Sequence, residues 1–93
     1  MNIVKMLESK QEDLKRQYSV RKIGVFGSYA RSEQTTESDV DILVEFSTPV
    51  DLFEFIGLKQ YLESLLGKKV DLVTVKALKP QLKDRILSEV VYV

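Results

Sequence analysis

Residues Gly24 to Phe46 read GVFGSYARSEQTTESDVDILVEF, and the second half of this stretch decides the architecture. Val40, Ile42, Val44 and Phe46 alternate with Asp39, Asp41, Leu43 and Glu45. A period of two marks a strand with one apolar and one partly acidic face, so Asp39 and Asp41 point the same way. Upstream, Arg21 to Phe26 (RKIGVF) forms a short strand. Gly27-Ser28 is then a turn into a helical segment around Tyr29 to Glu33, and SEQTTES is a loop without core residues.

Helical patterns flank this pair of strands. Ile3, Leu7, Leu14 and Tyr18 recur at helical spacing among Lys, Glu and Gln, which predicts one amphipathic helix with Asn2 as its N-cap. After the second strand, Thr48 is the expected N-cap of another helix, with Pro49 at its first position and Asp51 reaching back toward the cap. Leu52, Phe55, Ile56, Leu62, Leu65 and Leu66 form its apolar stripe, assigned to the core, and Gly67 stops it. KKVDLVTV supplies a third strand that contains Asp71. KPQLKDRILSEVV supplies a last helix carrying Leu82, Ile86, Leu87 and Val90. The alternation predicts an α/β fold with few strands and helices on at least one face, a single domain over residues 1–93.

Composition excludes several chemistries. The 93 residues contain no Cys and no His, so there is no thiol nucleophile, disulfide or imidazole base, and carboxylates are the metal ligands available. Hydrophobic residues make up 44% and the formal net charge is zero, which fits an ordinary globule and not a generalised nucleic-acid binder. No segment approaches the roughly 20 apolar residues of a membrane span, and the N-terminus lacks the apolar run of a signal peptide, so a cytoplasmic location is expected. Charge is nevertheless uneven. Glu33, Glu37, Asp39, Asp41, Glu45, Asp51 and Glu54 cluster without a Lys or Arg between Ser32 and Glu54, while Lys68, Lys69, Lys76, Lys79, Lys83 and Arg85 occupy the C-terminal third. That basic run is either solvated surface or a patch facing phosphate or a partner.

The two aspartates are the sharpest chemical signal. Two residues apart on a strand, their Cα atoms are roughly 6–7 Å apart, and unit charges at that spacing repel by roughly 2–3 kcal/mol at an effective dielectric of about 20. A divalent cation would compensate, and Mg²⁺ favours one or two carboxylates together with phosphate oxygens and water. The alternative is that both side chains fan into solvent. Gly27 lets a ligand approach the backbone, and Ser28 adds a hydroxyl at a helix start, where free amides favour an anion. By itself Gly-Ser is more commonly just a tight turn with a helix cap.

Gly27-Ser28, ten intervening residues and Asp39-Val40-Asp41 together match the signature of the DNA polymerase beta-like nucleotidyltransferase superfamily. GSYARSE and SDVDILVEF resemble its minimal nucleotidyltransferase branch, and the resemblance runs on through the helix after Pro49, the strand with Asp71 and the closing ILSEVVYV. Ser32 departs from the pattern, since these proteins often carry Gly after Ala-Arg. The resemblance implies a short mixed β-sheet flanked by helices. It also implies that Asp39 and Asp41 bind Mg²⁺ or Mn²⁺, that Asp71 is the third catalytic carboxylate, and that Gly27 and Ser28 hold the phosphates of ATP. For Asp71 the plain alternative is an ion pair with Lys68 or Lys69, and Arg31 is expected either to steady phosphate or to pair with Glu33.

Minimal nucleotidyltransferases of this kind are typically partnered with a helical HEPN protein, an RNase toxin, and act as its antitoxin by transferring AMP to a tyrosine hydroxyl. The expectation from the resemblance is therefore a protein adenylyltransferase antitoxin that needs neither a membrane nor direct nucleic-acid binding. A non-catalytic antitoxin that masks the toxin stoichiometrically is the alternative from another class, and a small-molecule nucleotidyltransferase ranks third.

Overall fold

In the computed structural model, which describes residues 2–93, helices α1 (Ile3–Glu8) and α2 (Gln11–Tyr18) lead into β1 (Val20–Phe26). A single 3-10 turn (Gly27–Tyr29) follows, then β2 (Val40–Phe46), α3 (Leu52–Leu66), β3 (Val70–Thr74), a second 3-10 turn (Val75–Ala77), α4 (Pro80–Glu89) and β4 (Val91–Tyr92). The four strands form one mixed sheet in the order β3-β2-β1-β4. β2 is antiparallel to β1 and parallel to β3, and β4 closes antiparallel on the far edge of β1. The fold is thus the expected α/β plan: a small mixed sheet flanked by helices.

One face of the sheet carries the core. Ile23 and Val25 of β1 sit opposite Val44 and Ile42 of β2, and these residues, with Val40 and Leu72, pack against Leu7, Leu14, Leu58, Leu62 and Leu66 of the helices. Burial of such side chains contributes about 1.5–3 kcal/mol each, so this face anchors the register of the whole sheet. The opposite face receives the side chains of Phe26, Asp41 and Leu43. Because β2 is held by its apolar side, its acidic side is obliged to face the other way.

Several sequence expectations are corrected. The first helix is broken: Ser9 ends α1 with its hydroxyl donating to the Met6 carbonyl, and α2 restarts at Gln11. Leu7 and Leu14, on either side of the break, are both buried in the core. Asn2 does cap α1, accepting from the Lys5 N–H at 3.2 Å. The cap of α3 is Asp51, not Thr48, and Pro49 lies outside the helix. Asp51 Oδ1 accepts from the Glu54 N–H at 2.7 Å while Glu54 Oε1 accepts from the Asp51 N–H at 3.2 Å. This reciprocal pair satisfies two orphan donors, which a Thr at position 48 has no Glu to complete. Asp51→Ala is expected to cost about 1 kcal/mol and to lower the melting temperature by about 4–8 °C, checked by thermal unfolding followed by circular dichroism.

The assigned α3 stripe holds at Leu62 and Leu66, and at Phe55 and Leu65, which pack partly buried against the core, and fails at its start. Leu58, Leu62 and Leu66 are buried, whereas Leu52 is 68% exposed and its neighbour Phe53 84%, with Ile56 exposed as well. These side chains of the first turns of α3 face solvent, while Phe55 between them packs against Phe46. Val90 lies just outside α4 as its C-cap.

Candidate active site

The site begins at the C-terminal end of β1. Gly27 follows the strand at φ +72°, a left-handed conformation suited to glycine, and its carbonyl accepts from the Ala30 and Arg31 N–H groups. The chain then makes one 3-10 turn in place of the expected helix over Tyr29 to Glu33, so Ser28 does not stand at a helix N-terminus. Any anion affinity here comes from local N–H groups and the Ser28 hydroxyl, which makes no side-chain hydrogen bond among the described residues. Ser32 also has positive φ, at 57°, which explains why glycine suits that position.

The loop back to β2 closes as a turn in which the Ser38 hydroxyl accepts from the Thr35 N–H at 2.8 Å. Asp39 comes next, exposed, and Asp41 follows inside β2, half-buried. The start of β2 is pinned to the start of β3, because the Val40 N–H donates to the Lys69 carbonyl at 2.9 Å and Glu63 Oε2 accepts from the Val70 N–H at 3.0 Å. These bonds set Asp41 directly beside Asp71 in the parallel register, on strands about 4.8 Å apart. Phe26 of β1 completes the same row on the other side of Asp41.

Like charges directly across a strand pair repel, and among the described residues no ion pair neutralises them. None of Asp39, Asp41 and Asp71 takes part in an ion pair or side-chain hydrogen bond among the described residues, so the alternative pairing of Asp71 with Lys68 or Lys69 does not form. Burial first, then the charges of Asp71 and Asp39, raise the Asp41 carboxyl above its ordinary pKa, while Arg31 pulls it back. Gly27 backs this carboxylate closely. A Cβ at position 27 would fall onto Asp41 Oδ2, well inside van der Waals contact.

This donor set suits a hard divalent cation: only oxygens, no His or Cys, and an excess of negative charge. As the side chains are turned, no three acidic groups among the described residues converge to ligating distance. Asp39 and Asp71 are exposed and unbonded, so turning them toward Asp41 breaks no interaction. The ledge they form is open, and two grooves of the molecule lie away from it, one between α2 and β1 and one between α1 and the segment from Tyr29 to Gln34.

Arg31 takes one of its two expected partners and a second that was not foreseen. Its Nε donates to Glu33 Oε1 at 2.6 Å, and its Nη1 donates to Glu89 at 3.0 and 3.2 Å. Glu89 Oε1 also accepts from the Gly27 N–H at 3.2 Å. Glu89 is the last residue of α4, 62 positions from Gly27, and no local sequence signal ties the two.

The chain belongs to the nucleotidyltransferase domain family, whose model matches residues 7–93. Among proteins it resembles, the protein adenylyltransferase MntA of Thermococcus cleftensis is 48% identical over 91 residues, covering 98% of this chain and 92% of that protein. A solved structure of a toxin-antitoxin pair with AMP-PNP superposes with a TM-score of 0.73 at 30% identity, covering 91% of this chain and 70% of that one. A structure of the tri-AMPylated HEPN toxin of Shewanella oneidensis in complex with its MNT antitoxin superposes at 0.66 and 27% identity, covering 95% and 69%.

Proposed function

We propose that this protein is a metal-dependent protein adenylyltransferase that acts as an antitoxin, moving AMP from ATP to a tyrosine hydroxyl of a partner HEPN toxin. The observation that carries the reading is the row in which Asp41 stands beside Asp71, with Asp39 two residues away on the same side and Gly27 backing Asp41. The likeness to MntA and to the two complexes supports the same class of reaction and partner.

Asp39, Asp41 and Asp71 would hold Mg²⁺ or Mn²⁺, which when bound offsets the charge on the triphosphate and on the carboxylates. The Ser28 hydroxyl and the turn around it hold phosphate oxygens through charge-assisted hydrogen bonds. The tyrosine oxygen attacks the α-phosphorus of ATP in line; a new P–O bond forms as the bond to the β-phosphate bridge breaks, releasing pyrophosphate. Asp71, exposed at the rim of the ledge, is the carboxylate placed to draw off the hydroxyl proton. The open ledge suits a protein acceptor, whose surface would cover it.

Two measurements test this reading. ATP binding followed by calorimetry should be strong with Mg²⁺ and fall by at least about tenfold in EDTA, because three carboxylates repel an unmetallated triphosphate; equal affinity in both would remove the metal. Mass spectrometry of a HEPN protein co-expressed with this chain should show AMP units on tyrosine. An unmodified toxin that is still neutralised would favour masking.

A further inference from the structure

Glu89 lies outside the aspartate ledge and outside the Gly-Ser and Asp-x-Asp motif, in the closing ILSEVVYV stretch, yet it is bound to that motif's turn from the far end of the chain. Gly24 makes this approach possible. A Cβ there would meet Val90 Cγ2 at 2.7 Å and the Val91 carbonyl oxygen at 2.9 Å, so only glycine lets the residues after α4 press this closely on β1. β4 then pairs Val91 with Val25 and Tyr92 with Gly24, and this short strand fixes where α4 ends. Glu89, two residues before β4, is carried to the end of β1 with its side chain only 17% exposed.

There its carboxylate spans two groups, the Gly27 N–H and Arg31 Nη1. With Glu33 holding Nε, the guanidinium is clamped on two edges, and its remaining N–H groups make no hydrogen bond among the described residues. The charge of Arg31 reaches Asp41, where it opposes the repulsion from Asp71 and Asp39. Burial raises the Glu89 carboxyl, but the bonds from Arg31 and the Gly27 N–H outweigh it and hold the group below its ordinary pKa, so it is charged near neutrality.

We infer that Glu89 is a positioning residue for nucleotide transfer: it holds the Gly27-Ser28 turn against Asp41 and aims the uncommitted N–H groups of Arg31 at the phosphates of the nucleotide. The inference rests on the transferase reading given above. It also assigns the Gly27 N–H to the protein itself, leaving Ser28 and Arg31 as the groups that meet phosphate.

The test compares Glu89→Ala, Glu89→Gln and Arg31→Ala in the full chain, alone and combined, by steady-state transfer kinetics. Glu89→Ala should raise KM for ATP and lower kcat/KM by about 10-fold to 100-fold, the range for removing a group that orients a ligand-binding residue. Glu89→Gln keeps an acceptor for the Gly27 N–H and loses the negative charge that faces Arg31, so it should fall between. In an Arg31→Ala background Glu89→Gln should add nothing. Kinetics unchanged in Glu89→Ala, or effects that simply multiply with Arg31→Ala, would overturn the inference. A lowered KM would also overturn it, since Glu89 would then be a competitor of phosphate. Hydrogen exchange at the Gly27 amide, followed by NMR, supplies a readout independent of turnover: exchange should quicken in Glu89→Ala while core amides stay protected. If the parent transfers nothing, the transferase reading fails, and the amide still reports whether Glu89 holds the turn.

Discussion

Asp39→Asn combined with Asp41→Asn should yield a folded protein that neither transfers nucleotide nor gains stability from Mg²⁺. Turnover should fall on the order of a thousandfold or more, the scale reached when one electrostatic stabiliser is removed. The fold survives because β2 is held by Val40, Ile42 and Val44 on its other face, all buried in the core. Without metal the Asp41→Asn chain should be the more stable one, since the substitution removes a half-buried charge and its repulsion with Asp71. The pH dependence follows from the direction of the shift. Asp41 has a raised pKa in the folded state, so folding favours its protonated form; the destabilisation is absent below the unfolded pKa and grows as pH rises through the folded one. The unfolding free energies of parent and Asp41→Asn should therefore converge in acid and separate toward neutrality. Saturating Mg²⁺ should invert the order, adding about 2.7 kcal/mol to the parent at a concentration of 100 Kd and nothing to the variant. Urea unfolding across pH, with and without Mg²⁺, measures all of this. The double variant also separates catalyst from mask: if it protected cells from a HEPN toxin as well as the parent does, neutralisation would need no transfer.

The parts of the molecule legible in the sequence are those governed by short-range periodicity. The period of two over Val40–Phe46 gave both the core face of β2 and the common side of Asp39 and Asp41, because a strand leaves alternate side chains no other choice. Cap chemistry was legible in kind and misplaced in detail. Asp51 and Glu54 stand at the spacing of a capping box, but Pro49 is an equally good first residue of a helix, and only tertiary packing shows where α3 starts. Helix amphipathicity misled at Leu52 and Ile56, since periodicity reports one apolar side of a helix and says nothing of which part of it the rest of the fold covers. Glu89 was invisible for a different reason. Its partners, Gly27 and Arg31, are joined to it through the pairing of β4 with β1, a contact at long sequence separation that leaves no local pattern. Asp71 came from the family resemblance, and its register beside Asp41 required the parallel pairing of β2 with β3.

Gly27→Ala should be far more damaging than the same change at Gly67, although the two glycines have nearly the same backbone. Their φ angles are 72° and 66°, so the strain of forcing an L-residue into the left-handed region is common to both, about 1–2 kcal/mol. At Gly67, the C-cap of α3, an added Cβ meets nothing within 4 Å, so Gly67→Ala should lose that strain energy in stability and keep its activity. At Gly27 the Cβ lands on Asp41 Oδ2, and either the turn or the carboxylate has to move. Asp41 is fixed by its strand on both sides, through Phe26 and Asp71, so its side chain must swing away from the ledge. Misplacing a reacting group by about 1 Å costs about a hundredfold in rate, and Gly27→Ala should lose at least that much transfer activity. A cycle isolates the contact. In an Asp41→Ala background the carboxylate is gone and only the Cβ at position 41, 3.3 Å away, remains, so Gly27→Ala should then cost little more stability than Gly67→Ala. Urea unfolding of the single and double variants measures the coupling. Equal penalties at Gly27 in both backgrounds, with activity retained, would mean that the glycine serves the turn alone and that Asp41 is not seated against it.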